Sequence, residues 1–377
     1  MSNEAETPAA DGVKYRRIFL DLQRAISNGK YREGQRLPSE AQLTRMYSTS
    51  RMTVARALKE LTILGIVERK PGSGSYVRHA SATHGRSFGL LIPDLGETEI
   101  FEPICQGIAR ASRINHDEIL WGAATRDVES KVQQALQLCN YYLSKYVAGI
   151  FFAPFEHTEN GDAANREIVE TLQRVSIPVV LLDRDVVRYP ARSGCDLVGI
   201  DNRRAGYVVT QHLLKLGCQR IVFLALPNSA PTVAMRMAGY RDALCASHKP
   251  EAAEIGMPDS KEWVGKLLQA HRPDGIVCAN DRTAGELMLT LNALGVDIPS
   301  AVRIVGIDDV KYASLLHVPL TTLRQPCNDL GAAALSTMVD RVDHPNMPAR
   351  QVTLECELIV RKSCGAPVRE DGTDSGE

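Results

Sequence analysis

Four polar side chains between residues 183 and 308 have the types and positions of groups that bind hydroxyls. Asp183, Asn280 and Asp308 each stand at the end of a short apolar segment, and Arg236 lies near the start of a helical pattern. Carboxylate and amide oxygens accept hydrogen bonds, whereas the planar guanidinium group donates to two neighbouring oxygens at once. The glycine-rich phosphate loops GxxxxGK(S/T) and, after a strand, GxGxxG are absent from the sequence. The pattern predicts a site for a small molecule that carries several hydroxyls.

A second chemical feature is the positive charge near the N-terminus. The chain of 377 residues has a formal net charge of −1, yet the segment from Lys14 to His79 holds 14 basic and 5 acidic residues, a net +9. Residues 1–13 contribute −3 and residues 80–377 contribute −7. A basic module on an acidic body predicts a polyanionic partner for that module alone. A small, well-solvated domain is the alternative that charge by itself leaves open.

Residues 12–79, here termed the head, have the pattern of a winged helix-turn-helix. Apolar residues recur at helical spacing over residues 15–26, and Ser39 has capping-box spacing before a short second helix. Ser50 is a suitable N-cap for a third helix, Arg51–Leu64. Two strand-like segments around a Lys-Pro-Gly-Ser-Gly turn then predict a hairpin. A third helix of this kind enters the major groove of DNA, and a basic hairpin tip reaches the neighbouring backbone or minor groove.

Residues 87–365, here termed the body, alternate short apolar segments with helical patterns. The alternation predicts an α/β fold with parallel, doubly wound sheets, and the length favours two lobes over one sheet. Parallel sheets bind ligands beyond the carboxyl ends of their strands, where the polar residues above stand. The predicted strands are Phe88–Ile92, Glu118–Trp121, Gly149–Ala153, Val179–Leu182, Leu197–Ile200, Arg220–Leu224, Gly275–Cys278, Arg303–Ile307 and the strand-like Leu358–Ser363.

Three motifs in the head resemble the GntR family of bacterial regulators. They are GQRLPSE (Gly34–Glu40), SRMTVARALKEL (Ser50–Leu61) and GIVERKPGSGSYV (Gly65–Val77). Ala41 and Ala55 stand where many members carry a basic residue, so Arg56 is expected to contact a phosphate instead. The resemblance implies that the head binds double-stranded DNA through Arg36, Ser39, Ser50, Arg51, Met52, Thr53, Arg56, Lys70, Gly72, Ser73 and Gly74.

Ordered motifs in the body resemble the effector domain of the LacI/GalR family, which is similar to periplasmic sugar-binding proteins. The usual hinge helix between head and body is replaced here by a small polar linker. A GntR-like head on such a body resembles the arabinose-responsive AraR branch of the GntR regulators. The motifs are PVVLLD (Pro178–Asp183), IDNRRAG (Ile200–Gly206), AMRMAGY (Ala234–Tyr240), GIVCAND (Gly275–Asp281), VRIVGIDD (Val302–Asp309) and PLTTLRQP (Pro319–Pro326).

This second resemblance implies a cleft between two lobes that binds a small ligand, usually a sugar. The residues that it places in the cleft are Arg236, Asn280 and Asp308, with Asp183 as a further position. Sugar sites usually include an aromatic side chain, for which Phe101 and Phe155 are the candidates by position. Phe101 could equally pack in the core, and that alternative stays open.

The predicted organisation is a head at 12–79, a linker at 80–86, a two-lobed body at 87–365 and a disordered tail at 366–377. The predicted function is a sequence-specific DNA-binding transcriptional regulator, a repressor, whose operator binding is controlled by a sugar in the cleft. We expect a homodimer in the cytoplasm, without a membrane span, a metal or a cofactor. Nine cysteines without a CxxC pair argue against a disulfide framework and against a zinc site.

Other functions stay open at this point. A purine is the alternative effector, because purine-responsive members of the LacI/GalR family share the fold. A sugar-modifying enzyme with a DNA-binding head is disfavoured, since the sequence shows no nucleophile–base motif, phosphate loop or metal cluster. A solute-binding protein for uptake is disfavoured by the basic head and by an acidic N-terminus that lacks the pattern of a signal peptide.

Overall fold

The structure is a computed structural model, and it describes residues 8–27, 30–63, 65–78, 86–93, 95, 99–122, 131–145, 147–156 and 161–367. The predicted linker, 80–86, lies outside the described residues except for Arg86. The predicted tail, 366–377, lies outside them beyond residue 367. None of the helices in the described part of the chain combines the length and the apolarity that a bilayer crossing requires.

The head consists of three helices and a hairpin. In chain order they are α1 (Pro8–Ser27), α2 (Glu40–Met46), α3 (Arg51–Ile63), β1 (Val67–Lys70) and β2 (Gly74–Val77), and the two strands pair antiparallel. Inward-facing residues of all three helices close over the hairpin in one apolar core. The predicted winged helix-turn-helix is confirmed, although α1 begins several residues before the apolar periodicity does.

The body continues as a regular alternation of strands and helices. Up to residue 215 the elements are β3 (Ser87–Leu91), α4 (Phe101–Ile114), β4 (Glu118–Trp121), α5 (Lys131–Ser144), β5 (Gly149–Phe152), α6 (Gly161–Arg174), β6 (Val179–Leu182), β7 (Asp196–Ile200) and α7 (Asn202–Lys215). From residue 221 onwards they are β8 (Ile221–Ala225), α8 (Pro231–Ala246), β9 (Ala253–Ile255), α9 (Lys261–His271), β10 (Gly275–Cys278), α10 (Asp281–Ala293), β11 (Arg303–Asp308), β12 (Thr321–Arg324), α11 (Cys327–Asp343), β13 (Gln351–Leu354) and β14 (Glu357–Ile359).

These strands form two sheets, one in each lobe. The first has the order β13-β7-β6-β5-β3-β4, and the second has the order β14-β12-β11-β10-β8-β9. All pairs in the first sheet are parallel, whereas β14 runs antiparallel to β12 in the second. Strands β5, β6, β8 and β10 are buried throughout because helices cover both faces, which explains their uninterrupted apolar sequences. The predicted two-lobed α/β fold is confirmed.

The chain passes between the two sheets three times. It leaves the first sheet after β7, returns to it after β12 and leaves it again between β13 and β14. Helix α7 packs on α8 and on the second sheet, whereas α11 packs on α4 and on the first. Connections of this kind act as hinges in proteins whose lobes close around a ligand.

The end of the body differs from the sequence prediction. The strand expected over Leu358–Ser363 ends at Ile359, and Lys362–Cys364 form one turn of 3-10 helix. The cause is Ser363, which is fully buried. Its hydroxyl donates to the Ile304 carbonyl at 2.7 Å and accepts from the Thr321 N–H at 2.8 Å, so this segment folds over the second sheet and does not extend it.

The close packing of α7 against α8 gives a direct test of the fold. A Cβ atom on Gly239 would lie 1.7 Å from the Arg203 carbonyl oxygen and 2.7 Å from the Tyr207 nitrogen. We expect Gly239→Ala to lower the free energy of unfolding by at least ~1–3 kcal/mol, since backbone atoms must move apart. The matched control is Gly265→Ala in α9, where nothing lies within 4 Å of the added methyl group. This control should raise the free energy of unfolding by ~0.5–1 kcal/mol, because alanine favours a helix more than glycine does. Urea unfolding of both variants measures the difference, and equal stabilities would contradict the packing described here.

Candidate functional site

The first turns of α3 present long side chains to solvent. The side chain of Arg51 is 83% exposed, and Met52 is 80% exposed. Arg56 is also exposed, and its guanidinium carbon lies 4.1 Å from the centroid of the Tyr15 ring on α1. A methionine and two guanidinium groups on one accessible helix can contact base edges and phosphates.

Two of the predicted DNA-contacting hydroxyls, those of Ser50 and Ser39, cap helices in this structure. The Thr53 N–H donates to Ser50 Oγ at 3.2 Å, and the two hydroxyl oxygens lie 2.6 Å apart. Thr53 is buried. Ser39 begins α2 in the same way: its hydroxyl accepts from the Gln42 N–H, and its own N–H donates to Gln42 Oε1 at 2.8 Å. These hydroxyls satisfy helix N-termini and thereby fix the direction in which α3 presents its arginines.

Glycines shape the turn of the hairpin. Gly72 and Gly74 have φ angles of +72° and +123°, a region that side chains rarely adopt. The guanidinium group of Arg36 lies against Gly74, where a Cβ atom would come within 2.8 Å of Nε. A side chain at Gly74 would therefore displace Arg36, another of the residues predicted to contact DNA.

Polar side chains of the hairpin interact with one another. The Ser73 hydroxyl lies 2.6 Å from the Tyr76 hydroxyl, and the Lys70 ammonium group lies 5.2 Å from the centroid of the Tyr76 ring. Both Lys70 and Ser73 are exposed. Tyr76 therefore braces the tip, which presents one positive charge and one hydroxyl to the solvent.

Glu40, at the start of α2, joins α3 to the hairpin. Its Oε2 accepts from Arg51 Nε at 3.0 Å, and its Oε1 accepts from Arg69 on β1. Only 19% of the Glu40 side chain is exposed, whereas the Arg51 side chain extends into solvent. The carboxylate accepts from the guanidinium groups of two arginines that come from different elements, so it orients the cationic surface of the head.

In the body, Arg236 on α8 is the centre of a buried polar network. Its Nε donates to Asn202 Oδ1 at 2.8 Å, and one terminal nitrogen donates to the Ala279 carbonyl at 2.6 Å. The other terminal nitrogen donates to Asp308 Oδ1 at 3.3 Å. Arg236 is 4% exposed. The network connects α7, which follows the first passage between lobes, with the carboxyl ends of β10 and β11.

Asp183 and Arg184 follow β6 and bring the first lobe to the same place. Asp183 has a φ angle of 69°, and its Oδ2 accepts from Arg184 at 3.1 Å. Arg184 also donates from Nε to the Pro154 carbonyl at 2.8 Å, and it lies 3.5 Å from Glu156. The Arg236 charge acts electrostatically on Asp183, so groups from both lobes meet here. We term this meeting place the cleft.

Gln325, in the second passage between lobes, completes the cleft. Its Nε2 donates to Asp308 Oδ1 at 2.7 Å. Three buried polar atoms here have no hydrogen-bond partner: Gln325 Oε1, Asp183 Oδ1 and the second terminal nitrogen of Arg184. Buried polar atoms without partners are rare in native proteins because each costs free energy. The residues of the cleft thus carry two unfilled acceptors and one unfilled donor, which hydroxyl groups can satisfy.

Burial dominates the electrostatics of the cleft. It raises the pKa of Asp183, and the positive charges of Arg184 and Arg236 oppose that rise. Burial also raises the pKa of Asp308, again opposed by Arg236. Ligand hydroxyls that donate to these carboxylates would replace part of the hydration that burial removes. Within the described ranges, no group of three or more His, Cys, Asp and Glu side chains is placed to hold a metal ion.

Two known protein families match this chain, one in the head and one in the body. Residues 14–77 match the family described as bacterial regulatory proteins, gntR family. Residues 210–364 match the family described as periplasmic binding protein-like domain. The chain therefore joins a GntR-family head to a periplasmic-binding-protein-like body. The GntR-family match spans all the DNA-contacting residues predicted in the head, and the other match spans Arg236, Asn280 and Asp308.

Several transcriptional repressors and regulators are similar to this chain. An arabinose metabolism transcriptional repressor of Geobacillus stearothermophilus is 25% identical over 365 residues, or 93% of this chain and 97% of that protein. A ribose operon repressor of Halalkalibacterium halodurans is 23% identical over 82% of this chain and 89% of that protein. A LacI family transcriptional regulator from Enterococcus faecium, solved with bound ribose, has a TM-score of 0.59 and 23% identity over 74% of this chain and 98% of that one. The last likeness shows the fold of the periplasmic-binding-protein-like body.

Two residues predicted for the cleft have other contacts in this body. Asn280 begins α10: its Oδ1 accepts from the Thr283 N–H at 2.9 Å and from the Thr283 hydroxyl at 2.8 Å. Phe101 is fully buried, and the Arg184 guanidinium carbon lies 5.4 Å from the centroid of its ring. Phe155 is buried as well. Phe101 therefore packs in the core of the body, beside the Arg184 guanidinium group.

The sequence prediction missed three residues that the structure brings to these sites. Arg184 and Gln325 lie directly beside or inside the motifs quoted for the body, but nothing in the sequence showed that their side chains keep unpaired atoms in the cleft. Glu40 lies inside the first GntR-like motif, yet its partner Arg69 is 29 residues away in the chain. Glu40 and Arg69 become neighbours only in the folded chain, so their contact could not be predicted from the sequence.

Proposed function

We propose that the protein is a transcriptional repressor whose affinity for operator DNA is set by a small hydroxylated molecule, a sugar, bound in the cleft. One observation carries this proposal: a single chain holds a GntR-family head with exposed arginines on α3 and a cleft with unfilled, buried hydrogen-bonding atoms. The relatives named above as repressors of arabinose and ribose operons support a sugar as the effector. The predicted homodimer in the cytoplasm fits this function, since paired heads read paired half-sites.

The mechanism is a shift between two separations of the lobes. Asp183 belongs to the first lobe, Arg236 and Asp308 belong to the second, and Gln325 lies in a passage between them. A ligand that bonds to all of these groups stabilises the closed arrangement, and the equilibrium moves by its difference in affinity for the two states. Couplings of about 1–3 kcal/mol, or 5–150-fold, are typical of such switches.

A sugar-modifying enzyme is not supported by the adjacent carboxylates. Asp308 accepts from Arg236 and Gln325 inside the cleft. Asp309 instead accepts from Arg324 at 2.7 Å and lies 2.7 Å from Arg361, on another side of the strand end. Two carboxyl groups that point apart and are each held by arginine do not form an acid–base pair around one substrate.

A purine effector is a weaker alternative to a sugar. A flat base is usually bound by stacking on an aromatic ring. Phe101 is fully buried beside Arg184, and Phe155 is buried in the first lobe. The unfilled atoms of Asp183, Arg184 and Gln325 suit hydroxyls, which need hydrogen bonds and no aromatic platform.

The DNA-binding part of the proposal is tested by a salt titration. A duplex is selected from a random-sequence pool with the full chain, and its dissociation constant is measured between 50 and 200 mM salt. If the head neutralises six or more phosphates, binding should weaken by roughly 10³-fold or more over that range. A dissociation constant that does not change with salt would overturn the proposal.

Glu40 provides a sharper test of how the head reads sequence. Glu40→Ala frees Arg51 and Arg69 from their shared carboxylate and removes a negative charge beside the DNA-facing surface. We expect the ratio of affinities for selected and unrelated DNA to fall by about tenfold, or ~1.4 kcal/mol, because orientation is lost while general attraction increases. The control is Glu262→Ala on α9, whose side chain is 80% exposed and far along the chain from the head. An unchanged ratio in Glu40→Ala would show that Glu40 does not position the arginines.

A further inference from the structure

Arg86, the last residue of the predicted linker, is fixed to two elements of the first lobe. Its N–H donates to Asp117 Oδ1 at 2.9 Å, and its carbonyl accepts from the Glu118 N–H at 2.8 Å, at the start of β4. One terminal nitrogen of its guanidinium group donates to Asp343 Oδ2 at 3.3 Å, at the end of α11. The point where the chain enters the body is therefore held by backbone and side chain together.

Two carboxylates surround the Arg86 guanidinium group. Burial raises the pKa of Asp117, the charge of Arg86 opposes that rise, and the charge of Asp343 adds to it. Only 30% of the Arg86 side chain and 29% of the Asp343 side chain are exposed. The second terminal nitrogen of Arg86 is buried and has no hydrogen-bond partner. A pair that is shielded to this degree is screened less by salt than a pair on the surface.

Helix α11 connects this ion pair with the cleft. It begins two residues after Gln325, whose side chain donates to Asp308 of the second lobe, and it ends at Asp343. Its 17 residues span about 25 Å at 1.5 Å per residue. One face of the helix is buried, and a Cβ atom on Gly331 would collide with the Ile104 carbonyl oxygen of α4. A helix packed so closely moves with the first lobe as one body, so a displacement at its cleft end also reaches Asp343.

We propose that the ion pair between Arg86 and Asp343 couples the cleft to the head. The pair makes the end of the linker part of the first lobe, so that a movement of this lobe is passed on to the head. Coupling between distant sites is carried by rigid elements and ion pairs of this kind. The inference rests on the proposed function, because it takes lobe movement as the control of DNA binding. It gives Arg86 a positioning role in which the residue contacts neither the effector nor the DNA.

Two substitutions test the inference on the full chain. Isothermal titration with L-arabinose, D-ribose and D-glucose first identifies the sugar that binds most tightly. The dissociation constant for the selected duplex is then measured without this sugar and with the sugar at about 100 times its Kd. In the unaltered chain the two values should differ by about 5–150-fold. In Arg86→Met and in Asp343→Ala the difference should fall to about twofold or less, while the affinity for the sugar and the affinity for DNA without sugar each stay within about twofold of the unaltered values.

Two further variants are the controls. Arg86→Lys keeps the positive charge and should retain part of the response to the sugar. Arg113→Met, at an exposed position in the last turn of α4, removes a positive charge from the same lobe and should retain all of it. Thermal unfolding shows which variants are folded.

Three results would overturn the inference. A full response in folded Arg86→Met or Asp343→Ala protein would show that the ion pair does not couple the sites, and it would leave the sugar-controlled repressor intact. A loss of DNA affinity in Arg86→Met without sugar would show that Arg86 contacts DNA directly. If none of the sugars changes DNA binding by the unaltered chain, both the inference and the effector part of the proposed function are wrong.

Discussion

Arg236→Met should abolish the response of DNA binding to the effector while leaving DNA binding itself in place. The substitution removes three hydrogen bonds and leaves Asp308 buried without its cation. Loss of one partner from a buried ion pair costs about 3–5 kcal/mol. Part of that cost falls on folding. Because Arg236 also holds Asp308 in the cleft, we expect the dissociation constant of the effector to rise at least ~100-fold, which is ~2.8 kcal/mol of binding free energy.

Arg241→Met is the matched control for this prediction. Arg241 lies five residues further along α8, its side chain is 53% exposed, and its ionic partner is the exposed Glu251. Exposed pairs contribute about 0–1 kcal/mol, so this variant should bind effector and DNA as the unaltered protein does. Thermal unfolding of both variants shows whether the body remains folded. Retention of the effector response in a folded Arg236→Met protein would contradict the assignment of the cleft.

Arg51→Ala should have the largest effect on DNA binding. The side chain extends from the first turn of α3 and is 83% exposed, so its removal disturbs little of the free protein. A guanidinium group that contacts a base or a phosphate contributes about 1–3 kcal/mol to binding. We expect the affinity for the selected duplex to fall roughly 5–150-fold in direct titrations, with no loss of thermal stability.

Whether Arg51 contacts a base or a phosphate can be decided from how DNA binding depends on DNA sequence and on salt concentration. Arg166→Ala, at an exposed position of α6 in the body, is the control and should change neither the sequence discrimination nor the salt slope. If Arg51 contacts a base, discrimination between selected and unrelated DNA should relax, and if it contacts a phosphate, the salt slope should decrease by about one. Arg51→Ala with unchanged affinity would exclude the first turn of α3 from the DNA interface.

Local signals in the sequence were sufficient for most elements of the fold. The Ser50 cap and the apolar spacing after it predict α3 to within a residue, and fully apolar strands such as β6 and β8 are evident. The short strands β9 and β13 were missed. Their residues alternate between exposed and half-buried, so they lack an apolar run and depend on pairing with β8 and β7.

The candidate sites were predictable in part for a physical reason. Asp183 and Asp308 could be placed at the carboxyl ends of parallel strands, where ligands bind, whereas their meeting with Arg236 in one cleft was implied by the family resemblance. Which of their neighbours keep free atoms depends on pairings made across the fold, and so Gln325 and Arg184 emerged only from the structure. Phe101 shows the converse: its position made it a candidate for stacking on a ligand, with core packing as the alternative, and its side chain is fully buried, 5.4 Å from the Arg184 guanidinium carbon.

The most direct test of a ligand-controlled repressor is the affinity of the full chain for its selected duplex with and without effector. The effector is the sugar that binds the full chain most tightly in isothermal titration, supplied at about 100 times its Kd. We expect the dissociation constant for DNA to change by about 5–150-fold, and Arg236→Met to remove this change. An identical dissociation constant with and without a sugar that demonstrably occupies the cleft would contradict a ligand-controlled repressor.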